Sequence, residues 1–293
     1  MNDRDWEILK VLHEKQNLTQ AAKALYISQP ALTFRLQQIE DSFGVKVAHR
    51  GRRGVEFTSQ GEYLVKYAKE MLLQLRQTKE QIWNMENSVT GILRLGVTGT
   101  YACYRLPSLL SQFIAKYPDV EFNVTTGWSS EVVGLLYKHE VHVGVIRGDH
   151  DWPEQKQLLM EEPIYIVSKN KIELEDLPRL PRVDYKTDPS LRSTIDAWWI
   201  ENFSSSPMIS MQVDRIETCK ELVYNGLGYA IMPGLTLKDQ PDIHTIDLMS
   251  KDRVPIRRNT WLLYRKESLN LTLIKTFIEF LTFCSTFETI KRD

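Results

Sequence analysis

The sequence has little cysteine, no C-x-x-C pair and no apolar run of about 18 residues, the length of a membrane span. Its three cysteines, Cys103, Cys219 and Cys284, are widely separated. An odd number of separated thiols without metal-type spacing is typical of a reducing cytosol. The acidic start MNDRDWEILK also lacks the features of a signal peptide. We therefore expect a cytoplasmic protein with no membrane partner.

The motifs of common enzyme classes are missing too. No G-x-S-x-G, P-loop or G-x-G-x-x-G is present, and the six histidines have no H-E-x-x-H context. His139 and His142 flank the start of a predicted strand, where a hydrogen-bonded structural role is the simpler interpretation. The glycines of NGLGYAIMP lie between a helix and a strand, the wrong order for a phosphate loop. We predict no catalytic residue, no cofactor and no metal.

A large excess of one charge is absent as well. The 293 residues include 37 lysines and arginines against 38 aspartates and glutamates, so any nucleic-acid-binding surface must be local. The hydrophobic content of 42% is ordinary for a globular protein, and the length allows two or three domains.

Residues 1–58 have the pattern of three short helices followed by a hairpin, as in a winged helix-turn-helix domain. Apolar side chains four, three and four residues apart predict the core face of the third helix, and Pro30 lies in its first turn. The predicted N-caps of the three helices are, in order, Asp3 or Asp5, Thr19 and Ser28. Gly44 is the glycine predicted to end the third helix. The predicted core face of that helix is Leu32, Leu36, Ile39 and Phe43. A generic three-helix bundle is the alternative.

The outer face of the third helix carries amides, a hydroxyl, a proline and an aromatic ring instead of Lys/Glu pairs. Glutamine and threonine hydrogen bond to base edges, and a proline or aromatic ring contacts a thymine methyl. The basic turn of the hairpin, with Lys46 near it, is suited to DNA phosphates, although alone it could be a solvated turn. The predicted DNA-binding residues are Ser28, Gln29, Pro30, Thr33, Phe34, Arg35, Gln37, Arg50, Arg52 and Arg53.

Residues 59–88 form a predicted linker helix with an uninterrupted heptad pattern of apolar residues. We expect this stripe to pair two subunits, and the alternative is a helix lying on its own domain. The predicted dimerisation residues are Leu64, Ala68, Met71, Leu75, Thr78, Ile82 and Met85.

From Gly91 onwards, strands alternate with helices, which predicts βαβ units and parallel sheets in two lobes around a cleft. Lobe I comprises residues 91–164 and 266–293, and lobe II comprises residues 165–265. Ligands of such folds bind at the carboxyl ends of strands, so the residues there are candidates for binding a small anion. The predicted effector-binding residues are Thr98, Gly99, Thr100, Ser129, Ser130, Arg147, Lys186 and Arg258.

Two alternatives stay open at this site. A buried Arg147 needs a carboxylate partner, which is either the ligand or a protein group such as Asp149. Lys186 is as readily explained as an exposed surface residue.

The segment NLTQAAKALYISQPALTFRLQQIEDSFGVKVAHRGRRGVEFTSQGEYL resembles the N-terminal domain of LysR-type transcriptional regulators. The alanine pair, the Ser-Gln-Pro-Ala-Leu, the FGVKV and the T-x-x-G before the linker helix stand in the order of that family. The resemblance covers the whole chain and implies a winged helix-turn-helix, a linker helix and a two-lobed effector domain similar to a periplasmic binding protein. One departure is Phe34, where the family often has arginine or glutamine.

The segments TGWSSEVVGLLYKHEVHVGVIRG and VDRIETCKELVYNGLGYAIMP resemble the Gram-positive catabolite-control branch, whose members sense citrate. This resemblance implies cationic residues at Arg147 and Arg258, and a regulator whose DNA binding is modulated by citrate. The implied partners are promoter DNA, a small carboxylate and a second copy in a homodimer or dimer of dimers, with RNA polymerase as a further candidate. The alternatives are a different effector (an amino-acid derivative, aromatic acid or sulfur metabolite) or a cytoplasmic small-acid binding protein.

Overall fold

A computed structural model describes residues 1–51, 54–85, 88–237 and 242–290, with the backbone alone for Arg50 and residues 286–290. The chain divides into two compact units, residues 1–86 and residues 87–293. No helix in the described ranges is both long and apolar enough to cross a membrane.

The first unit, here called the head, consists of three short helices, a hairpin and one long helix. Its elements are α1 (Asp3–Lys15), α2 (Leu18–Ala24), α3 (Gln29–Phe43), β1 (Ala48–Gly51), β2 (Gly54–Phe57) and α4 (Ser59–Asn84). Antiparallel pairing of β1 with β2 confirms the predicted hairpin. The predicted ends of α3 are also confirmed, because the Ser28 side chain accepts the Ala31 N–H and Gly44 is left-handed at φ 65°.

The first two predicted N-caps are wrong. Asn2 caps α1, and Asp5 is its third helical residue, whose carboxylate accepts the Asn2 N–H in a reciprocal capping box. Asn17 caps α2 by accepting the Gln20 N–H. In both cases the structure uses an asparagine one to three residues earlier than the predicted cap, and Asn side chains are as effective as Asp there.

The head core contains Leu32, Leu36 and Ile39, as predicted, but not Phe43. Phe43 is 44% exposed because it is the last residue of α3, where the core has ended, and its ring lies against the partly buried Trp6. The neighbouring Glu40 is buried instead.

The start of α4 belongs to the head core. Thr58 caps it through the Gly61 N–H, and a Cβ on Gly61 would lie 1.9 Å from the Val47 carbonyl oxygen. In the T-x-x-G spacing, Thr58 therefore caps the helix, and Gly61 allows the helix backbone to lie close to the Val47 carbonyl. Leu64 and Ala68 are buried in this core, so their predicted place in a subunit interface is wrong.

The second unit is an α/β domain. Its strands are β3 (Gly91–Thr98), β4 (Val120–Gly127), β5 (Val143–Arg147), β6 (Gln155–Ser168), β7 (Arg182–Tyr185), β8 (Ile209–Val213), β9 (Tyr229–Pro233), β10 (His244–Asp247) and β11 (Arg257–Tyr264). Its helices are α5 (Gly99–Tyr104), α6 (Leu106–Lys116), α7 (Ser129–Tyr137), α8 (Pro189–Asn202), α9 (Ile216–Tyr224) and α10 (Thr272–Ile290), with 3-10 helices at Leu174–Arg179, Gly234–Leu237 and Lys266–Asn270.

The strands follow the order β4-β3-β5-β11-β6-β9-β7-β8, with β10 also paired to β6. Strands β3, β4 and β5 are parallel and form the first lobe, and β7 is parallel to β8 and β9 in the second. The long β6 connects them, since its first half pairs with β11 and its second half with β9 and β10. Both β6 and β11 run antiparallel to their neighbours, so the sheet combines the predicted parallel pairs with antiparallel ones.

The predicted lobe boundary also needs a correction. Strand β11 pairs with β5, and Leu235 and Leu262 pack in the core of the first lobe, although the sequence pattern places residues 165–265 in the second. Chain order misleads here because the chain returns to the first lobe before its last helix.

Candidate nucleic-acid interface and ligand cleft

The outer face of α3 lies on the surface of the head. Ser28, Gln29, Pro30 and Gln37 are exposed, and the Phe34 side chain is 63% exposed. Thr33 is partly buried on the same helix. A helix that exposes a proline, an aromatic ring and two amides has side chains suited to the major groove.

Arg35 is the predicted DNA contact that the structure favours least. Its guanidinium donates to Gln38 at 2.8 Å and lies 3.4 Å from the carboxylate of Asp5, which is buried in the α1 capping box. The geometry therefore assigns Arg35 to joining α1 and α3.

The predicted base-reading amides already make contacts in the free head. Gln29 accepts a hydrogen bond from Thr19 at 3.2 Å, and Gln37 donates to Asp41 at 2.8 Å. Both residues are exposed, so these bonds orient the amides without burying them.

The hairpin is only partly described. Arg52 and Arg53 lie outside the described residues, and Arg50 pairs with Val55 through the β1–β2 backbone. Lys46 does not add free positive charge, because its ammonium lies 2.7 Å from the Glu40 carboxylate.

Glu40 joins α3 to the start of the hairpin. Besides Lys46, its carboxylate accepts the Val47 N–H at 3.0 Å. Burial alone would raise the pKa of Glu40, but the hydrogen bonds from Lys46, Val47 and Ala48 outweigh burial and lower it.

Tyr26, which the sequence reasoning missed, stands just before α3 with 95% of its surface exposed. Its backbone is left-handed, with φ 55°, which is uncommon outside glycine. An exposed aromatic ring in a constrained turn beside α3 is a further candidate for DNA contact. The only sequence signal was an aromatic residue in the break between two helices.

In the second unit, a cleft of about 760 Å³ opens between the lobes. Seven of the eight predicted effector residues line it, namely Thr98, Gly99, Thr100, Ser129, Arg147, Lys186 and Arg258. Ser130 is exposed and does not line the cleft, because the first turn of α7 directs only Ser129 towards it.

Arg147 has a protein counter-ion, but the partner is Glu162 and not Asp149. Its guanidinium donates to Glu162, whose second oxygen accepts the Leu235 N–H, and both charged side chains are buried. Asp149 instead accepts a hydrogen bond from the Trp261 indole at 3.0 Å.

Arg258 of β11 is held in the same way by a carboxylate of the second lobe. It donates to Asp188, whose other oxygen caps α8 by accepting the Leu191 N–H at 3.0 Å. Burial, followed by repulsion from Arg258, lowers the pKa of Arg147 to about 9, although Tyr185 and Asp188 oppose the shift. Additional negative charge near Arg147 would therefore stabilise its protonated form.

Several buried donors at the cleft have no hydrogen-bond partner within the described part of the chain. They are Thr98 Oγ1, Arg147 Nε, Arg258 Nε and Arg258 Nη1. Buried polar atoms are almost always paired. Four unpaired donors at one cleft therefore indicate a place where a polar ligand would supply the missing hydrogen-bond acceptors.

The remaining predicted residues have more limited roles. The Ser129 hydroxyl bonds to the backbone of Arg147, donating to its carbonyl at 2.8 Å and accepting its N–H at 3.2 Å. Lys186 is exposed at the edge of the cleft, as the surface alternative predicted. The rest of the lining combines apolar or aromatic residues, namely Ala102, Trp128, Tyr185, Leu191, Ile216 and Pro233, with the charged Asp188, Asp214, Arg215 and Glu217.

Across the described ranges, no group of three or more His, Cys, Asp or Glu side chains is arranged to hold a metal ion.

A winged helix-turn-helix head followed by a two-lobed α/β domain with a polar cleft defines the architecture of a ligand-responsive DNA-binding regulator. Residues 4–62 match the family described as bacterial regulatory helix-turn-helix protein, lysR family, and residues 86–283 match the LysR substrate binding domain.

Similar proteins have the same organisation. The uncharacterized HTH-type transcriptional regulator YraN of Bacillus subtilis strain 168 is 44% identical over 281 residues, covering 96% of this chain and 97% of YraN. The uncharacterized regulator YkuM of the same strain is 34% identical over 281 residues, covering 95% and 96%. The structure of full-length CbnR in complex with its target DNA has a TM-score of 0.67 at 22% identity, covering 96% and 99%, and so shows the shared fold.

The chain therefore belongs to the LysR family of transcriptional regulators. It is a DNA-binding regulator with a substrate-binding domain, and the family consists of regulators, not enzymes.

Proposed function

We propose that the head reads promoter DNA through α3, with the hairpin on the phosphates, and that a small carboxylate in the cleft modulates this binding. The observation that carries the effector part is the set of buried, unpaired donors of Thr98, Arg147 and Arg258. Because promoter DNA is the target, we place the protein in the cytoplasm.

The DNA part is tested with an operator selected from random sequences by the intact protein. Phe34→Ala and Gln37→Ala should each weaken binding by about 5- to 150-fold and relax base preference, as expected when a side chain that reads a base is removed. Glu7→Gln, an exposed change on α1, is the control. Replacing Arg50, Arg52 and Arg53 with alanine should reduce the slope of log K against log salt by about 0.9 for each phosphate that is no longer neutralised. Binding with neither sequence preference nor salt dependence would contradict the proposal.

Citrate is the specific effector that the sequence resemblance names. Two arginines and several hydroxyl groups at one cleft are suited to carboxylates. Both arginines, however, already have buried counter-ions in Glu162 and Asp188, so these four groups are together neutral.

This charge balance favours a second candidate, an acid with one carboxylate and an apolar body. One carboxylate would meet the unpaired N–H groups, whereas the other two of citrate would enter a site with no net positive charge to balance them. Trp128, Leu191 and Ile216 provide an apolar surface for the rest of such a ligand.

Calorimetry with citrate and with benzoate on the full chain separates the two candidates. The decisive variant is Thr98→Val, which removes an unpaired hydroxyl from the cleft while keeping the side-chain shape. Thr260→Val is the matched control, since the Thr260 hydroxyl is also buried and unpaired but does not line the cleft.

We expect Thr98→Val to weaken binding of the true effector class by about tenfold or more, as for the removal of a hydrogen bond to a charged group. Thr260→Val should leave the affinity unchanged. Equal affinities in wild type and Thr98→Val for every acid that binds would refute the placement of the site.

We also propose that the chain acts as a homodimer or a dimer of dimers through the exposed half of α4. Leu75 and Ile82 are 37% and 55% exposed, which is unusual for apolar residues on one helix stripe. Met71, Thr78 and Met85 continue the same stripe, and Met85 lies just after the helix end. RNA polymerase is the further partner proposed for the assembled regulator.

A further inference from the structure

Three side chains from opposite lobes meet beside the cleft. Lys220 of α9 places its ammonium 4.9 Å from the ring centre of Tyr104, the last residue of α5. The same ammonium lies 5.7 Å from the ring of Tyr224. A lysine shared by two aromatic rings within about 6 Å is a cation–π arrangement.

The two helices belong to different lobes. Helix α5 follows β3, and its Tyr101 is buried in the core of the first lobe. Helix α9 buries Cys219 and Val223 in a core of the second lobe. Both helices also line the cleft, through Ala102 and Cys103 on one side and Ile216 and Glu217 on the other. The contact between Lys220 and Tyr104 therefore bridges the cleft.

The surroundings keep the tyrosine rings neutral. Burial and the charge of Glu217 raise the pKa of Tyr104, and burial and Glu221 raise that of Tyr224. Glu217 lies three residues before Lys220 on α9, and Glu221 directly follows it. The half-buried position of Lys220 limits the screening of its attraction to the rings.

We infer that Lys220, Tyr104 and Tyr224 form a clasp that holds the two lobes closed over the cleft and so sets effector affinity. The Lys220–Tyr104 half of the clasp exists only when α5 and α9 are close, so it stabilises the closed arrangement selectively. A ligand that binds the closed cleft gains apparent affinity in proportion to the closed population. The inference rests on the proposed binding of an effector in this cleft.

The clasp differs from the cleft donors in what it does. Thr98 and Arg258 would touch the ligand, whereas Lys220 would act as a positioning residue through lobe closure. Its removal should therefore weaken all ligands of the cleft by a similar factor and leave their order of affinity unchanged.

The test measures lobe closure without DNA or effector, by the distance between two nitroxide spin labels. One label is placed at Glu121 on β4 and the other at Ile200 on α8, both exposed positions. Cys103 and Cys284 are changed to serine. Cys219 stays, because it is buried and burial raises its pKa to about 12. Labelled chains are diluted with unlabelled chains so that only distances within one chain are read.

Lys220→Met should lower the population of the short distance relative to a longer one by about 2- to 30-fold, the range for a cation–π contact. Tyr104→Leu should act likewise, and Lys220→Arg, which keeps a cation over the ring, should restore the wild-type distribution. Lys116→Met is the matched control, since Lys116 lies 5.3 Å from the Tyr117 ring within the first lobe alone.

Identical distance distributions in wild type, Lys220→Met and Tyr104→Leu would overturn the inference. An equal change in Lys116→Met would overturn it too, because the effect would not be specific to the contact between lobes. If the proposed effector function is wrong, the acids will not bind, but the distance between the labels will still change in Lys220→Met. The two failures are therefore distinguishable.

Discussion

Removing the counter-ion of Arg147 tests the electrostatic account of the cleft most directly. In Glu162→Gln the side chain keeps its shape but loses its charge, and Arg147 then faces the interior without its partner. Both residues are almost fully buried, with side-chain exposures of 4% and 1%. Breaking a buried pair from one side costs about 3–5 kcal/mol, because the remaining charge is uncompensated.

The new amide adds to this cost. Glu162 also accepts the Leu235 N–H with its second oxygen, and a glutamine offers only one oxygen for the two donors. The charge of Arg147 is already disfavoured by burial, as its lowered pKa of about 9 shows. The destabilisation should therefore fall in the upper part of that range.

The assay is urea unfolding of the full chain followed by tryptophan fluorescence. Of the seven tryptophans, five lie in the second unit, namely Trp128, Trp152, Trp198, Trp199 and Trp261, so the signal mainly reports this unit. With a urea m-value of about 2 kcal/mol/M, the midpoint should fall by roughly 2–2.5 M. The exposed neighbour Glu161 supplies the control, since Glu161→Gln should leave the midpoint in place.

A double variant distinguishes the effect of charge from the effect of packing. Replacing the pair by Arg147→Met and Glu162→Leu removes both charges, and such replacements are often close to neutral. We expect the double variant to be more stable than Glu162→Gln by several kcal/mol. A Glu162→Gln protein within about 1 kcal/mol of wild type would refute the assignment of Glu162 as the counter-ion, since even a single hydrogen bond to a charged group contributes about 1.5–3 kcal/mol.

Three further predictions concern the head and α4. Gly61→Ala should destabilise the head by several kcal/mol or prevent its folding, because the added Cβ would lie 1.9 Å from a backbone oxygen, and circular dichroism of the full chain on heating measures this. The lowered pKa of Glu40 means that its stabilising effect is present above about pH 4.3, its unfolded value, and is lost as the pH falls through the folded value. Thermal melts from pH 6 to pH 3 should thus fall less steeply for Glu40→Gln than for wild type, and parallel curves would contradict this. Leu75→Lys should weaken self-association, and unchanged sedimentation would argue against the α4 interface.

Local chemistry made much of the head predictable. Ser28, Pro30 and Gly44 mark the ends of α3 through capping, a fixed φ and a left-handed backbone, and each acts within a few residues of its own position. The failures have a physical cause as well. The helix pattern continued to Phe43, but burial depends on what packs opposite, and the last turn of α3 extends past the head core.

The prediction from heptad spacing on α4 was incomplete for a similar reason. The period correctly identified one apolar stripe, yet the first turns of that stripe complete the head core and only the later turns are free for a partner. Periodicity gives the direction in which a side chain points and carries no information on whether its own domain or another subunit lies there.

The counter-ions of the cleft arginines are the part of the site that the sequence pattern did not predict. Strand ends brought Thr98, Ser129 and Arg147 to the lining of the cleft, because the carboxyl ends of parallel strands meet at one edge. The counter-ions could not be found in this way, since Glu162 lies in the antiparallel connecting strand and Asp188 caps a helix of the other lobe. Without them, Arg147 and Arg258 suggest an excess of positive charge and a polyanionic ligand. With them, these four groups carry no net charge, and the unpaired N–H groups of the two arginines are why we propose a single carboxylate held by directed hydrogen bonds.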